Sequence, residues 1–129
     1  MRRERVSTGT EWESKAGYSR AVRAGSRVSV AGTTATDEDG DLVGVGDPYA
    51  QARKAIDNVV DALSATGATP ADVVRTRIYV TDADDWPAIG RAHAETFGDH
   101  PPAATLVEVN AMVDPEMLVE VEAEAVVDD

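Results

Sequence analysis

The stretch Leu118–Val127 constrains the fold of this chain most. It reads Leu-Val-Glu-Val-Glu-Ala-Glu-Ala-Val-Val, so that small apolar residues alternate with glutamates. This period of two predicts a β-strand with one buried face and one polar face. The apolar positions are Val119, Val121, Ala123, Ala125 and Val127, and the polar positions are Glu120, Glu122 and Glu124. The side chains that cover the apolar face must come from earlier in the chain.

A second C-terminal segment, Pro102–Val109, also has the composition of a strand. The residues after it include Asn110, Asp114 and Pro115, which favour turns. Because consecutive strands joined by a turn usually lie side by side, we expect the two C-terminal segments to form an antiparallel pair.

Three further strands are predicted upstream. Tyr18–Ala24 and Arg27–Ala31 flank Gly25-Ser26, a pattern that indicates a β-hairpin. Asp72–Val80 is rich in β-branched residues and predicts a central strand. Residues 1–17 are polar, and we expect them to be irregular.

Two helices are predicted from their end signals. Asp47-Pro48 supplies an N-cap and a proline at the first helical position, and Gly67 ends that helix. Its apolar stripe comprises Tyr49, Ala52, Ile56, Val59, Val60 and Leu63. Asp84-Asp85-Trp86-Pro87 begins the second helix in the same way, and Gly98 ends it. The inward stripe of the second helix comprises Trp86, Ile89, His93 and Phe97.

The predicted order is β-β-α-β-α-β-β in a single domain over residues 1–129. This order favours a two-layer α+β sandwich, with a mixed sheet and both helices on one face. The other sheet face would carry Arg75, Arg77, Val73, Tyr79 and the glutamate row. Arg77 is expected to pair with Glu120, Glu122 or Glu124. A mixed face of this kind is either solvated or buried against another subunit.

Composition excludes several classes of site. Cysteine is absent, which removes disulfides, thiolate metal sites and cysteine nucleophiles. Neither a signal peptide nor an apolar run of about 18 residues is present, so a cytoplasmic protein without membrane contact is expected. The net charge of −12 disfavours nucleic acid as a partner. The 24 acidic residues against 12 basic ones resemble salt-adapted proteins, or else serve solubility alone.

No cofactor or metal site is expected. Gly44-Val45-Gly46 resembles the start of a dinucleotide fingerprint, but Tyr49 occupies the third glycine position and Asp47 lies where a phosphate should sit. His93 and His100 are the only histidines, and they lack the partners of a metal site. His93 is either a core-edge histidine bonded to a carbonyl or a proton shuttle at a subunit junction.

An ordered set of short motifs runs from Tyr18 to Val126. It comprises Tyr18, Gly25, residues 30–33, residues 50–59, Gly67, residues 72–75, Phe97, Pro102-Ala103, residues 107–109 and residues 120–123. This set resembles the Rid (reactive intermediate deaminase) family, also called the YjgF or L-PSP endoribonuclease family. The resemblance implies a chorismate-mutase-like α+β fold and a homotrimer with a ligand cleft at each subunit junction. It also implies hydrolysis of enamines and imines to keto acids and ammonia.

The resemblance assigns roles to particular residues. The family's cleft tyrosine falls on Tyr18, and the backbone of its Ser-Gly-Gln falls on Ala31-Gly32-Thr33. Its catalytic-site glutamate falls on Glu120. The second residue after its cleft arginine falls on Leu106.

Two positions depart from the family pattern. The arginine that binds the substrate carboxylate in the deaminases is replaced by Ala104, and a cleft asparagine is replaced by Gly90. Arg20, two residues after Tyr18, would point to the same side of a strand and is the candidate replacement cation. The alternative is that Arg20 is a plain exposed arginine.

Two functions remain open at this point. In the first, the protein hydrolyses a small carboxylate-bearing imine: Glu120 activates water, Tyr18 and Thr33 line the pocket, and Arg20 binds the carboxylate. In the second, it is a non-enzymatic trimer that binds a metabolite and has a regulatory role, which Ala104 favours. Ribonuclease activity is disfavoured by the charge of −12 and the lack of a catalytic histidine pair.

Overall fold

The computed structural model describes residues 1–128 and contains six strands and three helices. The strands are β1 (Arg3–Val6), β2 (Ala21–Ala24), β3 (Arg27–Thr33), β4 (Val73–Val80), β5 (Ala103–Glu108) and β6 (Val119–Val126). The helices are α1 (Glu11–Ala16), α2 (Pro48–Ala65) and α3 (Trp86–Phe97). Short 3-10 turns at Pro70–Asp72 and Ala83–Asp85 precede β4 and α3.

The six strands form one mixed sheet in the order β1-β2-β3-β6-β4-β5. Only β4 and β5 run parallel, and every other neighbouring pair is antiparallel. Helices α2 and α3 pack together over one face, where the core forms between them and the sheet. The predicted two-layer α+β architecture is confirmed. The apolar residues of β6 that face this core are Val119, Val121, Ala123 and Ala125, all of them buried.

The predicted pairing of the two C-terminal strands is wrong. Strand β4 lies between them, paired in parallel with β5 and antiparallel with β6. The prediction followed chain proximity, whereas residues 109–118 are long enough to carry the chain across β4. A strand with apolar residues on its core face is stabilised when backbone hydrogen bonds form along both of its edges, and β4 obtains these from β5 and β6.

The expectation that residues 1–17 are irregular is also wrong. Strand β1 pairs with the free edge of β2, with Arg3 opposite Ala24, and α1 follows it. Helix α1 ends at Gly17, whose φ of 75° is the left-handed conformation that glycine adopts without strain. The open edge of the β2–β3 hairpin therefore determines where the N-terminal segment folds.

The caps of α2 follow the sequence prediction. The side chain of Asp47 accepts a hydrogen bond from the Ala50 amide at 3.1 Å, and Pro48 is the first helical residue. Within α3, Ile89 and Phe97 are buried as predicted, but Trp86 is 62% exposed. Trp86 is the first residue of α3 and stays exposed although it shares the apolar stripe. In residues 1–128, no helix has the length and apolar character needed to cross a membrane.

One register shift changes which β4 residues face the core. The pairing of β4 with β6 is irregular between Val73 and Arg75. Val73 is therefore buried in the core, although it was predicted on the opposite face, and Val74 is half exposed. Arg75, Arg77 and Tyr79 occupy the face away from the helices, as predicted.

Candidate functional site

A groove with a volume of about 1300 Å³ opens between α1, the end of β3, the loop after β3 and the start of β6. Five of the six predicted site residues line it: Tyr18, Arg20, Gly32, Thr33 and Glu120. These residues come from three separate parts of the chain, so the fold brings them together.

The sixth predicted residue, Leu106, lies elsewhere in the chain. It is on β5 opposite Ile78, partly buried against the core. Ala104, on the same strand, is exposed beside Thr76. Within one chain, neither residue lines the groove.

The carboxylate of Glu120 rests directly on the backbone of Gly32. A Cβ atom at Gly32 would lie only 2.5 Å from Oε2 of Glu120, which is closer than real Cβ contacts. The pairing of β3 with β6 is irregular between Val30 and Thr33, and this irregularity lies beside the carboxylate. A side chain at position 32 would therefore force the Glu120 carboxylate to move.

Burial raises the pKa of Glu120, and the neighbouring Glu122 carboxylate adds to the rise. The positive charge of Arg20 opposes both effects. No hydrogen bond to Glu120 from residues 1–128 contributes to this balance. A half-buried carboxylate with a raised pKa and free oxygens is the kind of group that accepts and returns a proton.

Arg20 lies inside the groove and is not a plain exposed arginine. Its Nη1 donates to the carbonyl oxygen of Gly32 at 2.6 Å and to Oγ1 of Thr33 at 3.1 Å. Its Nη2 donates to the hydroxyl of Tyr18 at 3.2 Å, and its side chain is only 12% exposed. Since three of its five N–H donors are used in this way, Arg20 retains a charge and one Nη2 hydrogen for a ligand, but no free parallel fork.

Glu13, on α1, does not line the groove itself but lies beside Arg20, a contact that the sequence analysis missed. Its side chain is 4% exposed and accepts from Ser7 Oγ at 2.8 Å, from Thr8 Oγ1 at 2.6 Å and from Thr10 Oγ1 at 3.0 Å. Burial by itself would raise the pKa of Glu13, but the hydrogen bonds from Thr8, Ser7 and Thr10 outweigh burial and lower it. Nε of Arg20 lies 3.8 Å from Glu13 Oε2. The spacing Thr10-x-x-Glu13 is that of a capping box, and this was the available signal.

Helix α2 supports two walls of the groove through two amide side chains, Gln51, which is buried, and Asn58, which is half-buried. Gln51 donates to the carbonyls of Gly44 and Glu116 and accepts from the Leu118 amide at 2.8 Å, which holds the approach to β6. Asn58 donates to the carbonyls of Thr34 and Thr36, at 3.0 and 2.8 Å, which holds the loop after β3. Both residues belong to the motif at residues 50–59, and in the structure their side chains position the backbone around the groove.

His93 is on the helix side of the sheet, whereas Glu120 is on the opposite face. Its Nε2 lies 2.9 Å from Oγ1 of Thr76, so its partner is a hydroxyl and not the predicted carbonyl. Burial lowers the pKa of His93, and its ring packs 4.7 Å from the ring of Phe97. One chain therefore keeps His93 apart from the groove.

The predicted ion pair of Arg77 is wrong for the single chain. None of the salt bridges within residues 1–128 includes Arg77. Glu122, which lies opposite Arg77, instead accepts a hydrogen bond from the hydroxyl of Tyr79 at 2.5 Å. The same part of the chain contains no cluster of three histidine or carboxylate side chains able to hold a metal ion.

Comparison with known proteins identifies the family. The family model described as Endoribonuclease L-PSP matches residues 8–127. A crystal structure of a Mycobacterium tuberculosis member of the YjgF/YER057c/UK114 family has a TM-score of 0.90 and 50% identity, covering 98% of this chain and 100% of that one. An uncharacterized protein of Streptomyces coelicolor is 45% identical over 121 residues, 94% of this chain and 90% of that protein.

A third relative has a named activity. The 3-aminoacrylate deaminase RutC of Acinetobacter baylyi is 37% identical over 104 residues, which are 81% of this chain and 82% of that protein. The family match covers almost the whole chain, and the structural match extends over both layers of the fold. This chain therefore belongs to the endoribonuclease L-PSP family, the Rid or YjgF family that its motifs resemble.

Proposed function

We propose that this protein is a hydrolase that converts small carboxylate-bearing enamines or imines to the carbonyl compound and ammonia. The observation that carries the proposal is Glu120. It is a half-buried carboxylate with a raised pKa, it rests on Gly32, and it faces the same groove as Tyr18 and Arg20. Small-molecule sites are typically concave and contain few convergent polar groups, as this groove does.

In the proposed reaction, Glu120 acts first as a base. The substrate reacts as the protonated imine (iminium). Glu120 removes a proton from water as the water oxygen bonds to the iminium carbon, which gives a neutral tetrahedral carbinolamine. It returns that proton to the amino nitrogen, the C–N bond breaks with its electron pair on nitrogen to release ammonia, and the hydroxyl proton passes to Glu120 as the C=O group forms; Glu120 then loses this proton to solvent. An enamine enters the same route after protonation at carbon. The raised pKa brings the carboxyl group nearer to the pH at which it can both accept and donate.

Tyr18 and Arg20 are proposed to bind and orient the substrate. The Tyr18 hydroxyl accepts from Arg20 Nη2, so its own proton remains available for a substrate nitrogen or carboxylate. Arg20 offers its charge and one N–H to the substrate carboxylate, while Thr33 lines the wall. Relative to a paired arginine at position 104, loss of one charge-assisted contact costs about 1.5–3 kcal/mol, or roughly ten- to a hundredfold in affinity.

The named relative supports the substrate class. RutC of Acinetobacter baylyi is named a 3-aminoacrylate deaminase. By its chemical name, 3-aminoacrylate is an enamine that carries a carboxylate. Ribonuclease activity, which the family name suggests, is disfavoured by the charge of −12.

We propose further that the site is completed in a homotrimer. Arg75 Nε is buried without a hydrogen-bond partner in the described part of the chain, on the sheet face away from the helices. Val107 and Val126 are exposed on that face. An unpaired buried donor costs roughly 1–3 kcal/mol, which supports contact of this face with another copy.

A non-enzymatic metabolite-binding trimer is the second candidate, and Ala104 is the observation that favours it. The two are separated by measuring ammonia release from 2-iminopropanoate that is generated enzymatically. For a hydrolase, the wild type accelerates release, Glu120→Gln abolishes the acceleration and Arg20→Ala weakens it. Glu116→Gln, an exposed side chain nearby in sequence, is the matched control and retains full activity.

A binder gives a different result in the same assay. The wild type then releases ammonia no faster than buffer, and Ala104→Arg creates weak activity because the other cleft residues are present. Full activity in both the wild type and Arg20→Ala would show that another cation holds the carboxylate, with Arg77 the next candidate.

A further inference from the structure

We propose that Glu13 is a positioning residue of the groove: it anchors the N-terminal segment against Arg20 and balances a guanidinium charge that Glu120 would otherwise neutralise alone. The inference deepens the proposed hydrolase function, on which its catalytic meaning rests. The contacts that carry it belong to the structure whether or not the protein is an enzyme.

The first observation is that Glu13 is fully occupied as an acceptor. Three hydroxyls, from Ser7, Thr8 and Thr10, and the Thr8 amide at 3.2 Å all donate to its two oxygens. A carboxylate is an acceptor only, whereas every one of these partners except the amide can rotate to accept as well. The set of partners thus favours an ionised Glu13 and ties residues 7–10 to α1.

The second observation is the position of Arg20 beside this buried charge. Nε of Arg20 is 3.8 Å from Glu13, while both its Nη atoms are directed to Gly32, Thr33 and Tyr18. The two side chains are 12% and 4% exposed. Solvent screens such a pair much less than a surface pair. The negative charge of Glu13 therefore offsets part of the positive charge that Arg20 presents to neighbouring groups, including Glu120.

The third observation is that Arg20 also acts on Glu120, where its charge favours the ionised form. The other groups that face Glu120 are Glu122 on β6 and the Tyr79 hydroxyl on β4. Both of these remain when Glu13 is altered. Removing the charge of Glu13 therefore leaves Arg20 to stabilise ionised Glu120 without opposition, and Glu120 should hold its proton less readily.

The test is a carbon-detected NMR titration of the Glu120 carboxyl group, assigned by loss of its signal in Glu120→Gln. In Glu13→Gln, the midpoint of Glu120 is expected to move to lower pH. Glu11→Gln is the matched control, because Glu11 is on the same helix but pairs with Lys15 in solvent. In the control, the midpoint of Glu120 should stay where it is in the wild type.

Activity gives a second, independent readout. If the enzyme is active, the acid limb of its kcat/KM profile should move to lower pH in Glu13→Gln with the fold retained. Glu13→Asp, which keeps the charge, should move it less. A merely structural Glu13 would lower activity at every pH without moving the limb.

The outcomes separate this inference from the proposed function. A shifted Glu120 midpoint in a protein without turnover supports the positioning role and removes the hydrolase. An unshifted midpoint in folded, active Glu13→Gln overturns the positioning role alone. If Glu13→Gln does not fold, Arg20→Gln decides: the midpoint of Glu13 itself must then rise, and an unchanged midpoint would refute the coupling.

Discussion

Arg20 in the groove and Arg75 on the outer face of the sheet are both arginines beside carboxylates and hydroxyls, but their donors are used differently. Arg20 donates to Gly32, Thr33 and Tyr18 and lies beside Glu13. Arg75 reaches only Thr105, at 3.3 Å, and its buried Nε has no partner among residues 1–128. One chain supplies several hydrogen-bond partners to Arg20, whereas Arg75 Nε has none in the same described residues.

The largest expected effect comes from breaking the groove at Gly32. In Gly32→Ala, the new methyl group displaces the Glu120 carboxylate, and a misplacement of about 1 Å can cost roughly a hundredfold in rate. Steady-state turnover of the imine measures the loss. Glu116→Gln, at an exposed side chain that does not line the groove, is the control and should retain full turnover. Unchanged turnover in Gly32→Ala would mean that Glu120 is not held there for catalysis.

The next prediction tests the outer face of the sheet. Val107→Asp places a charge beside Tyr79 on the outer face, where burial against another copy would be costly. Light scattering should give about three times the 13.6 kDa chain mass for the wild type and a single chain mass for the variant. Val45→Asp, in an exposed loop, should leave the mass unchanged. A monomeric wild type at micromolar concentration would remove the proposed trimer.

Added salt should affect the surface more than the groove, because it screens exposed charges more than the buried Glu13–Arg20 pair. With a net charge of −12, the acidic side chains of the folded protein repel one another at low ionic strength and lower its stability. The thermal midpoint is therefore expected to rise between low and molar salt. A midpoint that stays flat or falls over that range would contradict salt adaptation.

The smallest effect concerns His93, which belongs to neither region. Burial lowers the pKa of His93 below 6.5, so the unfolded chain binds this proton more readily than the folded one. The contribution of His93 to stability is then fully present above pH 6.5 and is lost as pH falls through and below it. Denaturant unfolding of the wild type and His93→Gln, from pH 7.5 to 5.5, should show a weaker pH dependence in the variant. Parallel curves would assign the loss to other groups.

Features set by neighbours in sequence were predictable. The alternation of β6, the turn at Gly25-Ser26 and the cap at Asp47-Pro48 depend on local geometry, and the structure confirms all three. The groove residues were found differently. Tyr18, Gly32 and Glu120 came from the resemblance to the family, and Arg20 from its spacing to Tyr18.

Features set by tertiary contacts were not predictable. No local sequence pattern predicts that β4 lies between β5 and β6, because the strand order is determined only when the whole sheet assembles. Trp86 has the right helical spacing for burial, but as the first residue of α3 it is left exposed by the tertiary packing. Glu13 had the capping signal of Thr10-x-x-Glu13, yet its contact with Arg20 depends on how β1 closes onto β2.

The place of β5 at the end of the sheet has a consequence for the protein in concentrated solution. Its outer row of amide and carbonyl groups is an unpaired strand edge, the kind of edge onto which another chain can add a strand. Pro101 and Pro102 directly before it cannot donate to such an added strand, and Glu108 places a charge at its end. Strand addition at this edge in concentrated solution should therefore be limited to the short stretch between the prolines and that glutamate.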